Sequence, residues 1–212
     1  FDSEFEHDVI MDEAMKYYAN IVLPYGIQVQ KALEIVKDLD IELIAPSHGL
    51  MWSTMIPEII EKYKKWSSNQ TKNKALIVYD TMWGSTEKIA RAIHCAFEEK
   101  GYVTRFLSLQ ENHISDIMTE LMEAEYICVG SPTLNNNMLP SVAAFLTYLK
   151  GLAPKNRKAI AFGSYGWGGQ SVGLLEEELK ACKFEIVDSI KLQYIPDGDV
   201  LADITKKLIE KI

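Results

Sequence analysis

The chain has 212 residues, of which 48% are hydrophobic and 25% charged, proportions typical of a globular protein with a buried core. Its formal net charge of −8 argues against nucleic acid as a partner. No apolar run is long enough to span a membrane and no signal-peptide pattern is present, so we expect neither anchor nor export. The three cysteines lack metal-binding or redox spacing, which predicts small buried side chains in a reducing cytoplasm.

The N-terminal third of the sequence consists mainly of helical patterns. Apolar residues at helical spacing predict three helices, and a short apolar run predicts one strand. The helices span 8–21, 27–39 and 57–66, and the strand spans 41–45. Roughly 65 residues with a single short strand would bury only a marginal core. We therefore interpret residues 1–66 as the end of a larger domain and the polar segment 67–73 as a linker.

One histidine in this region is a candidate metal ligand. His48 follows the predicted strand within the sequence Pro-Ser-His-Gly, at a position where active-site residues of layered α/β folds collect. A lone histidine is more often structural, so its position leaves both interpretations open. His7 lies among acidic residues at the start of the first predicted helix, and we interpret it as a solvated helix start.

After the linker, apolar strands alternate with helical patterns, which predicts a doubly wound α/β domain over residues 74–212. We expect five parallel strands with helices on both faces of the sheet. The clearest strands span 74–79, 125–130 and 158–163. The fifth strand is predicted as two pieces, 184–187 and 191–194, around an interruption. Helices are expected over 87–100 and 200–211.

The loop between the first strand of this domain and its helix has the composition of a phosphate site. Helix N-termini carry unpaired N–H groups and the positive end of the helix dipole, and both favour a phosphate. Neither a Gly-Lys-Ser/Thr ending nor a G-x-G-x-x-G pattern is present, which argues against a nucleoside triphosphatase and a dinucleotide site. For this loop alone, a helix cap without a ligand remains the alternative. The candidate residues are Thr81, Met82, Trp83, Gly84, Ser85 and Thr86.

Two further loops have aromatic, amide and glycine residues that suit a flat heteroaromatic ring. Loops after parallel strands converge where the strand order reverses, so we expect all three to share one crevice. The second loop comprises Ser131, Pro132, Thr133, Leu134, Asn135 and Asn136, and the third comprises Ser164, Tyr165, Gly166, Trp167, Gly168 and Gly169. We expect the two asparagines to bind the polar edge of the ring, and Trp167 or Tyr165 to stack on its face. An ordinary packed tryptophan is the alternative for Trp167. Together the loops predict a flavin mononucleotide (FMN) pocket.

These motifs carry a resemblance to a known family. Residues 74–212 resemble a flavodoxin-type domain, because Thr-x-x-x-Ser-Thr, Ser-Pro-Thr-x-x-Asn and Ser-x-Gly-Trp-Gly-Gly occur in that order after its strands. With the preceding strand, Pro-Ser-His-Gly motif, tryptophan, helix and linker, the whole chain resembles the C-terminal part of a flavodiiron protein, also called an A-type flavoprotein. The resemblance implies that residues 1–66 end a metallo-β-lactamase-like αββα domain.

The resemblance also implies chemistry. In the family, two irons in the lactamase-like domain reduce dioxygen to water or nitric oxide to nitrous oxide with electrons from FMN. His48 would be the last iron ligand, whereas the other ligands would lie upstream or on a companion chain, since one histidine cannot hold two irons. Rubredoxin or a flavin- or NADH-linked reductase would supply electrons to a head-to-tail homodimer or tetramer. A stand-alone flavodoxin-like electron carrier without a metal site is the alternative.

Overall fold

A five-stranded parallel sheet forms the centre of the structure, a computed structural model that describes residues 1–212. The strands are β1 (Lys72–Tyr79), β2 (Val103–Ser108), β3 (Ala124–Gly130), β4 (Lys158–Tyr165) and β5 (Glu185–Gln193). The helices are α1 (His7–Tyr17), α2 (Gly26–Val36), α3 (Ile56–Ser67), α4 (Ser85–Glu99), α5 (Ile114–Leu121), α6 (Pro140–Leu152), α7 (Gln170–Ala181) and α8 (Gly198–Ile209).

The sheet is covered by helices on both faces, which explains the continuous apolar runs of its central strands. β3 and β4 are buried along almost their whole length, as is β1 from Ala75 onward. One face packs against α4 and α8, and the other packs against α5, α6 and α7. The doubly wound α/β fold predicted from the sequence is confirmed.

The strand order is β2-β1-β3-β4-β5, so the chain leaves β1 in one direction toward β2 and returns on its other side as β3. This reversal opens a crevice at the carboxyl ends of β1 and β3, the usual ligand position in such sheets. β5 is one strand, and its predicted interruption is wrong. A shift in its register with β4 between Ala159 and Ile160 accommodates the irregular apolar pattern without ending the pairing.

The N-terminal residues form three helices and no strand. The strand predicted over 41–45 is wrong, because only one antiparallel bridge joins Ile44 to Trp52 and no further strand lies beside it. The first predicted helix is also shorter, since α1 ends at Tyr17 and a π-helical turn, Tyr18–Val22, follows. Residues 41–45 are half-buried or exposed, and they lack the hydrogen-bonding neighbours that strand formation needs.

The N-terminal helices share a continuous core with the flavodoxin-like part. Buried apolar side chains from both regions form one cluster, including Ile10 of α1, Met118 of α5 and Leu146 of α6. Polar contacts support it: Asn20 Nδ2 donates to Ser115 O at 3.1 Å, and Tyr148 Oη donates to Asn20 Oδ1 at 2.8 Å. The two regions are therefore packed together as well as linked by the chain.

No helix combines the length and the apolar character that crossing a bilayer requires. All three cysteines are free. Cys128 is buried in the sheet and Cys182 is half-buried, but the expectation of a buried side chain is wrong for Cys95, which is exposed on α4. Cys95 lies in the helix predicted over 87–100, as it does in α4, but its side chain is on the side of the helix that faces solvent.

The segment predicted as a linker, 67–73, is short and fixed by side chains. Its first residue ends α3 and its last two begin β1, and Asn69 between them is buried with a left-handed φ of 54°. Asn69 Oδ1 accepts a hydrogen bond of 2.8 Å from the Lys155 N–H. The connection therefore holds α3 at the amino-terminal edge of the sheet.

Arg157 reinforces this connection. It is 2% exposed, and its guanidinium donates to the carbonyl oxygens of Leu121 and Met122, at 3.2 and 3.0 Å, and to those of Asn69 and Lys155. Burial lowers the pKa of Arg157 to about 10, which still leaves it protonated at neutral pH. One charged group thus satisfies carbonyls from three separate segments.

We expect Arg157→Ala to lower the free energy of unfolding by about 3 kcal/mol, because it leaves several buried carbonyl groups without a donor. Arg105→Ala is the matched control, since Arg105 makes an exposed ion pair with Glu120 and should cost less than about 1 kcal/mol. Denaturant unfolding followed by circular dichroism measures both. Equal losses in the two variants would contradict the assignment of Arg157 as a link between segments.

Candidate functional site

The loop after β1 is a tight turn that presents the first turn of α4. Thr81 Oγ1 accepts a hydrogen bond of 3.0 Å from the Gly84 N–H, and Gly84 has a φ of +80° that a side chain would strain. α4 begins at Ser85, and no side chain of the protein caps it. The N–H groups of its first turn therefore remain available to an anion.

Ser164, at the end of β4, joins the three predicted loops. Its Oγ lies 3.0 Å from Thr86 Oγ1 of the first loop, and its carbonyl accepts a 3.0 Å hydrogen bond from the Thr133 N–H of the second. Gly163 permits this approach, because a Cβ at that position would lie 2.0 Å from the Ser131 carbonyl oxygen. The structure thus brings the three sequence-predicted loops to one edge of the sheet.

Some predicted residues support the loops with side chains that are already engaged. The Ser131 hydroxyl donates to Pro132 O and accepts from the Leu139 N–H, both at 2.9 Å. Thr133 Oγ1 donates to Ser171 Oγ at 2.9 Å. Pro132 is buried, and Leu134 forms an isolated bridge with Asn137. These side chains hold the second loop in shape.

Other predicted residues form the solvent-facing rim. Trp83 is 88% exposed, Trp167 is 98% exposed, and Met82 is also exposed. Asn135 and Asn136 have left-handed φ values of 50° and 62°, so the second loop turns sharply at its tip. The exposure of Trp167 rules out the packed tryptophan considered from the sequence. Its indole is free to stack on a flat ligand.

The third loop continues this rim and has partners that the sequence analysis missed. Gln193 Nε2 donates to Gly166 O at 2.9 Å, and the Tyr194 N–H donates to Tyr165 O at 2.8 Å. The Lys191 ammonium lies 5.7 Å from the centre of the Tyr165 ring. All three partners lie at or just beyond the end of β5. Lys191, Gln193 and Tyr194 lie within the predicted strand piece 191–194, but only the pairing of β5 with β4 places them beside the third loop.

Gly168 and Gly169 complete the turn into α7, together with Gln170 and Lys191, whose side chains lie close to them. A Cβ at Gly168 would lie 2.4 Å from the Gln170 side-chain oxygen, and one at Gly169 would lie 2.8 Å from the Lys191 side chain. Because both neighbours are flexible side chains, these two glycines are not required by a close backbone contact. Their lack of a side chain leaves room on the rim for the side chains of Gln170 and Lys191. The backbone of this loop therefore stays accessible from solvent.

His48 lies in the N-terminal region, in the turn between the two halves of the Ile44–Trp52 bridge. Its side chain is exposed, and its ring centre lies 6.0 Å from that of Tyr17. No group of three or more histidine, cysteine, aspartate or glutamate side chains is arranged to hold a metal ion. His7 is separate from His48 and bonds to Asp8 and Glu58 at the exposed start of α1.

An open groove of about 880 Å³ lies beside His48. Most of its lining is apolar and comes from α1, α2, α3 and the turn that carries His48. The apolar side chains that line it include Val9, Tyr17, Leu33, Ile44, Ile60 and Tyr63. An apolar concavity of this size is typical of a surface that binds a ligand or another protein segment.

Comparison with known proteins assigns the family. The family model described as flavodoxin matches residues 77–206, the part that carries all three loops. The chain belongs to the flavodoxin family. A flavodoxin domain implies FMN as the cofactor, and the geometry fits this group: an uncapped helix start suits its phosphate, and exposed indoles beside backbone amides suit its ring.

Similarity to larger proteins extends beyond the flavodoxin domain. The chain is 43% identical to a nitric oxide reductase of Moorella thermoacetica, over 95% of this chain and 51% of that protein. It superposes on the rubredoxin oxygen:oxidoreductase of Desulfovibrio gigas with a TM-score of 0.95 and 34% identity, covering 100% of this chain and 54% of that one. It superposes on the flavodiiron protein of Giardia intestinalis with a TM-score of 0.94 and 28% identity, covering 100% of this chain and 53% of that one.

These comparisons confirm the resemblance to flavodiiron proteins. The chain spans about half the length of the relatives that it matches. The N-terminal helices and the His48 turn lie within the matched region, because both structural matches cover the whole chain. The diiron centre does not fit the residues present here, since His48 has no cluster of donors around it.

Ser85 and Thr86 are both buried, and the Thr86 hydroxyl also contacts Ser164 Oγ. We expect the double variant Ser85→Ala/Thr86→Ala to weaken FMN binding, because we expect both hydroxyls to bond to the phosphate, and a charge-assisted hydrogen bond is worth about 1.5 to 3 kcal/mol. Titration of the flavin-free chain with FMN, followed by flavin fluorescence, measures the loss. Thr147→Ala is the control, since that hydroxyl bonds to Ala143 O within α6. An affinity equal to that of the wild type would show that the phosphate is held elsewhere.

We expect Trp167→Ala to change the absorption spectrum, the fluorescence and the reduction potential of bound flavin, because we expect the exposed indole to stack on the ring. Spectroelectrochemical titration measures the potential. Phe5→Ala is a suitable control, since Phe5 is an exposed aromatic residue that lines the groove beside His48. A spectrum and a potential unchanged from the wild type would exclude Trp167 from contact with the ring.

Proposed function

We propose that this chain is the FMN-binding electron-transfer part of a flavodiiron oxidoreductase, which reduces dioxygen to water, nitric oxide to nitrous oxide, or both. One observation carries the proposal: the similarity covers the whole chain, including the His48 turn, and extends beyond the flavodoxin domain. The names of the matched relatives include a nitric oxide reductase and a rubredoxin oxygen:oxidoreductase.

Within this function, the flavodoxin domain binds and orients the cofactor. The first turn of α4 holds the phosphate with its N–H groups, and Ser85 and Thr86 add hydroxyl donors. Asn135 and Asn136 bind the polar edge of the ring, while Trp167 or Tyr165 covers one face. When bound, FMN supplies one- and two-electron transfer between a donor protein and a metal centre.

The N-terminal region contributes to the metal side of the reaction. We propose that residues 1–66 complete a metallo-β-lactamase-like αββα domain, joined by residues 67–73 to the flavodoxin domain of residues 74–212. His48 acts there as one iron ligand. The other ligands come from residues outside the 212 described here, on the same polypeptide or on a companion chain.

The apolar groove beside His48 supports this arrangement. A groove of about 880 Å³ with mostly apolar walls is unfavourable in contact with water. The remaining part of a lactamase-like domain would cover these walls and bring its donors to the exposed His48 imidazole. The groove and His48 lie on the same surface. Packing of the rest of the domain against this surface would therefore cover the apolar walls and also bring further ligands to His48.

The partners and location follow from the same proposal. Rubredoxin or a flavin- or NADH-linked reductase donates electrons to the flavin, and dioxygen or nitric oxide is the substrate. A head-to-tail homodimer or tetramer brings the flavin of one subunit to the metal centre of another. We place the protein in the cytoplasm, where its three free cysteines remain reduced.

The composition of the purified native protein tests the function directly. We expect about two irons and one flavin per assembled unit when the complementary part is present, because His48 needs donors from that part. Intact mass spectrometry, iron analysis and flavin extraction measure these quantities. One flavin and no iron on the assembled protein would favour the alternative, a flavodoxin-like electron carrier without a metal site.

We expect His48→Ala in the assembled protein to lower its iron content and leave its flavin content unchanged, since the imidazole lies outside the flavodoxin domain. His113→Ala is the matched control, because His113 caps the start of α5 and lies outside the groove. Metal analysis beside flavin extraction measures both quantities. Undiminished iron in His48→Ala would refute the ligand assignment.

A further inference from the structure

Asp80 is a buried carboxylate at the carboxyl end of β1, directly before the phosphate loop. Only 6% of its surface is exposed. Its oxygens accept hydrogen bonds from three neutral donors, in Thr81, Gln110 and Ser141. A buried charge is costly unless hydrogen bonds compensate it, so this network of three donors is what makes the position tolerable.

The three donors belong to three different segments around the crevice. The Thr81 N–H, in the loop after β1, donates to Asp80 Oδ1 at 2.7 Å. Gln110 Nε2, in the loop after β2, donates to the same oxygen at 2.5 Å. The Ser141 hydroxyl, in the first turn of α6, donates to Oδ2. The carboxylate therefore links the loop after β2, on one side of β1, to the start of α6, which follows β3 on the other side.

Hydrogen bonds with Asp80 and Gln110 hold both the N–H and the carbonyl group of Thr81. While Asp80 accepts its N–H, Gln110 Nε2 donates to the Thr81 carbonyl oxygen at 2.9 Å. Thr81 in turn holds the Gly84 N–H through its hydroxyl, and Gly84 adopts the left-handed conformation that starts α4. A continuous series of hydrogen bonds thus runs from Asp80 to the helix start that would bind the phosphate.

We propose that Asp80 is a positioning residue that sets the phosphate loop through Thr81 and thereby determines the preference for FMN over unphosphorylated riboflavin. The inference rests on the proposed FMN function and deepens it. A carboxylate near a phosphate would repel it, so direct attraction cannot explain this residue. Ionised acceptors make shorter and stronger hydrogen bonds, which suits a role in holding a loop.

The ratio of the dissociation constants for riboflavin and FMN tests this role. Flavin-free wild-type chain, Asp80→Ala and Asp80→Asn are titrated with each flavin and followed by fluorescence. We expect Asp80→Ala to weaken FMN binding about tenfold or more while riboflavin binding changes less than about threefold. Asp80→Asn keeps an acceptor for Thr81 and Gln110, so it should restore most of the FMN affinity.

Gln110→Ala provides a second test that spares the buried carboxylate. Gln110 is exposed, so this variant should fold even if Asp80→Ala does not, and it should lower FMN affinity selectively. Asn112→Ala is the matched control, because its amide bonds to Ser108 O in the same loop without touching Asp80. We expect Asn112→Ala to leave the riboflavin-to-FMN ratio at the wild-type value.

The outcomes separate the two levels of the proposal. Wild-type chain that binds neither flavin would overturn the FMN function and with it this inference. Wild-type chain that binds FMN, with Gln110→Ala and Asp80→Ala showing the wild-type ratio, would overturn the inference alone. An equal loss of both flavins would also overturn it, since that result would mean a general structural role instead of a phosphate-specific one.

Discussion

The close parallel pairing of β3 and β4 is the constraint on which the candidate site depends. The Ser131 N–H donates to the Phe162 carbonyl at 3.1 Å just beyond the end of β3, and Gly163 allows the second loop to pass within contact of β4. Thr133 then reaches Ser164, and Ser164 reaches Thr86. Without this approach, the loops after β1, β3 and β4 would still lie at the same edge but would not share hydrogen bonds.

The site has two layers with different physical roles. Hydroxyl groups of Ser131, Thr133 and Ser164 form an inner layer of satisfied, mostly buried hydrogen bonds that fixes the loop backbones. Trp83 and Trp167 form an outer layer that is almost fully exposed. A rigid inner layer preorganises the outer one, so a bound ring loses little affinity to loop ordering. This division also explains why a predicted binding residue such as Ser131 has no free hydroxyl.

The N-terminal region is integrated with the flavodoxin domain to a degree that its polar connection did not suggest. Arg157 and Asn69 hold the connection, and the helices share a core with α5 and α6. The groove beside His48 is therefore held at a fixed position relative to the flavin site. In the function that we propose, this fixed geometry would help to define the positions of the flavin and the metal centre in the assembled protein.

Much of the fold and the loops could be predicted from sequence because their signals are local. Apolar strands, two of which end in glycine, are followed by residues with hydroxyl, amide or aromatic side chains, and this pattern identified the three loops. The alternation of strand and helix patterns identified the sheet. The motifs around Thr86 and Trp167 identified the family resemblance. These features depend on residues that are close along the chain, so one sequence is enough to find them.

Other features depend on contacts between distant segments. Ile44 lies within the strand-like apolar run 41–45, yet it forms only a single bridge because no neighbouring strand pairs with this run. The continuity of β5 depended on its pairing with β4. Nothing in the sequence distinguishes Asp80, and its role follows only from the contacts with Gln110 and Ser141, which come from distant segments. The sequence by itself determined the central strands, the three loops and the family resemblance, whereas tertiary structure decided which of the loop side chains hold the loops and which face solvent, because hydrogen-bond partners are set in three dimensions.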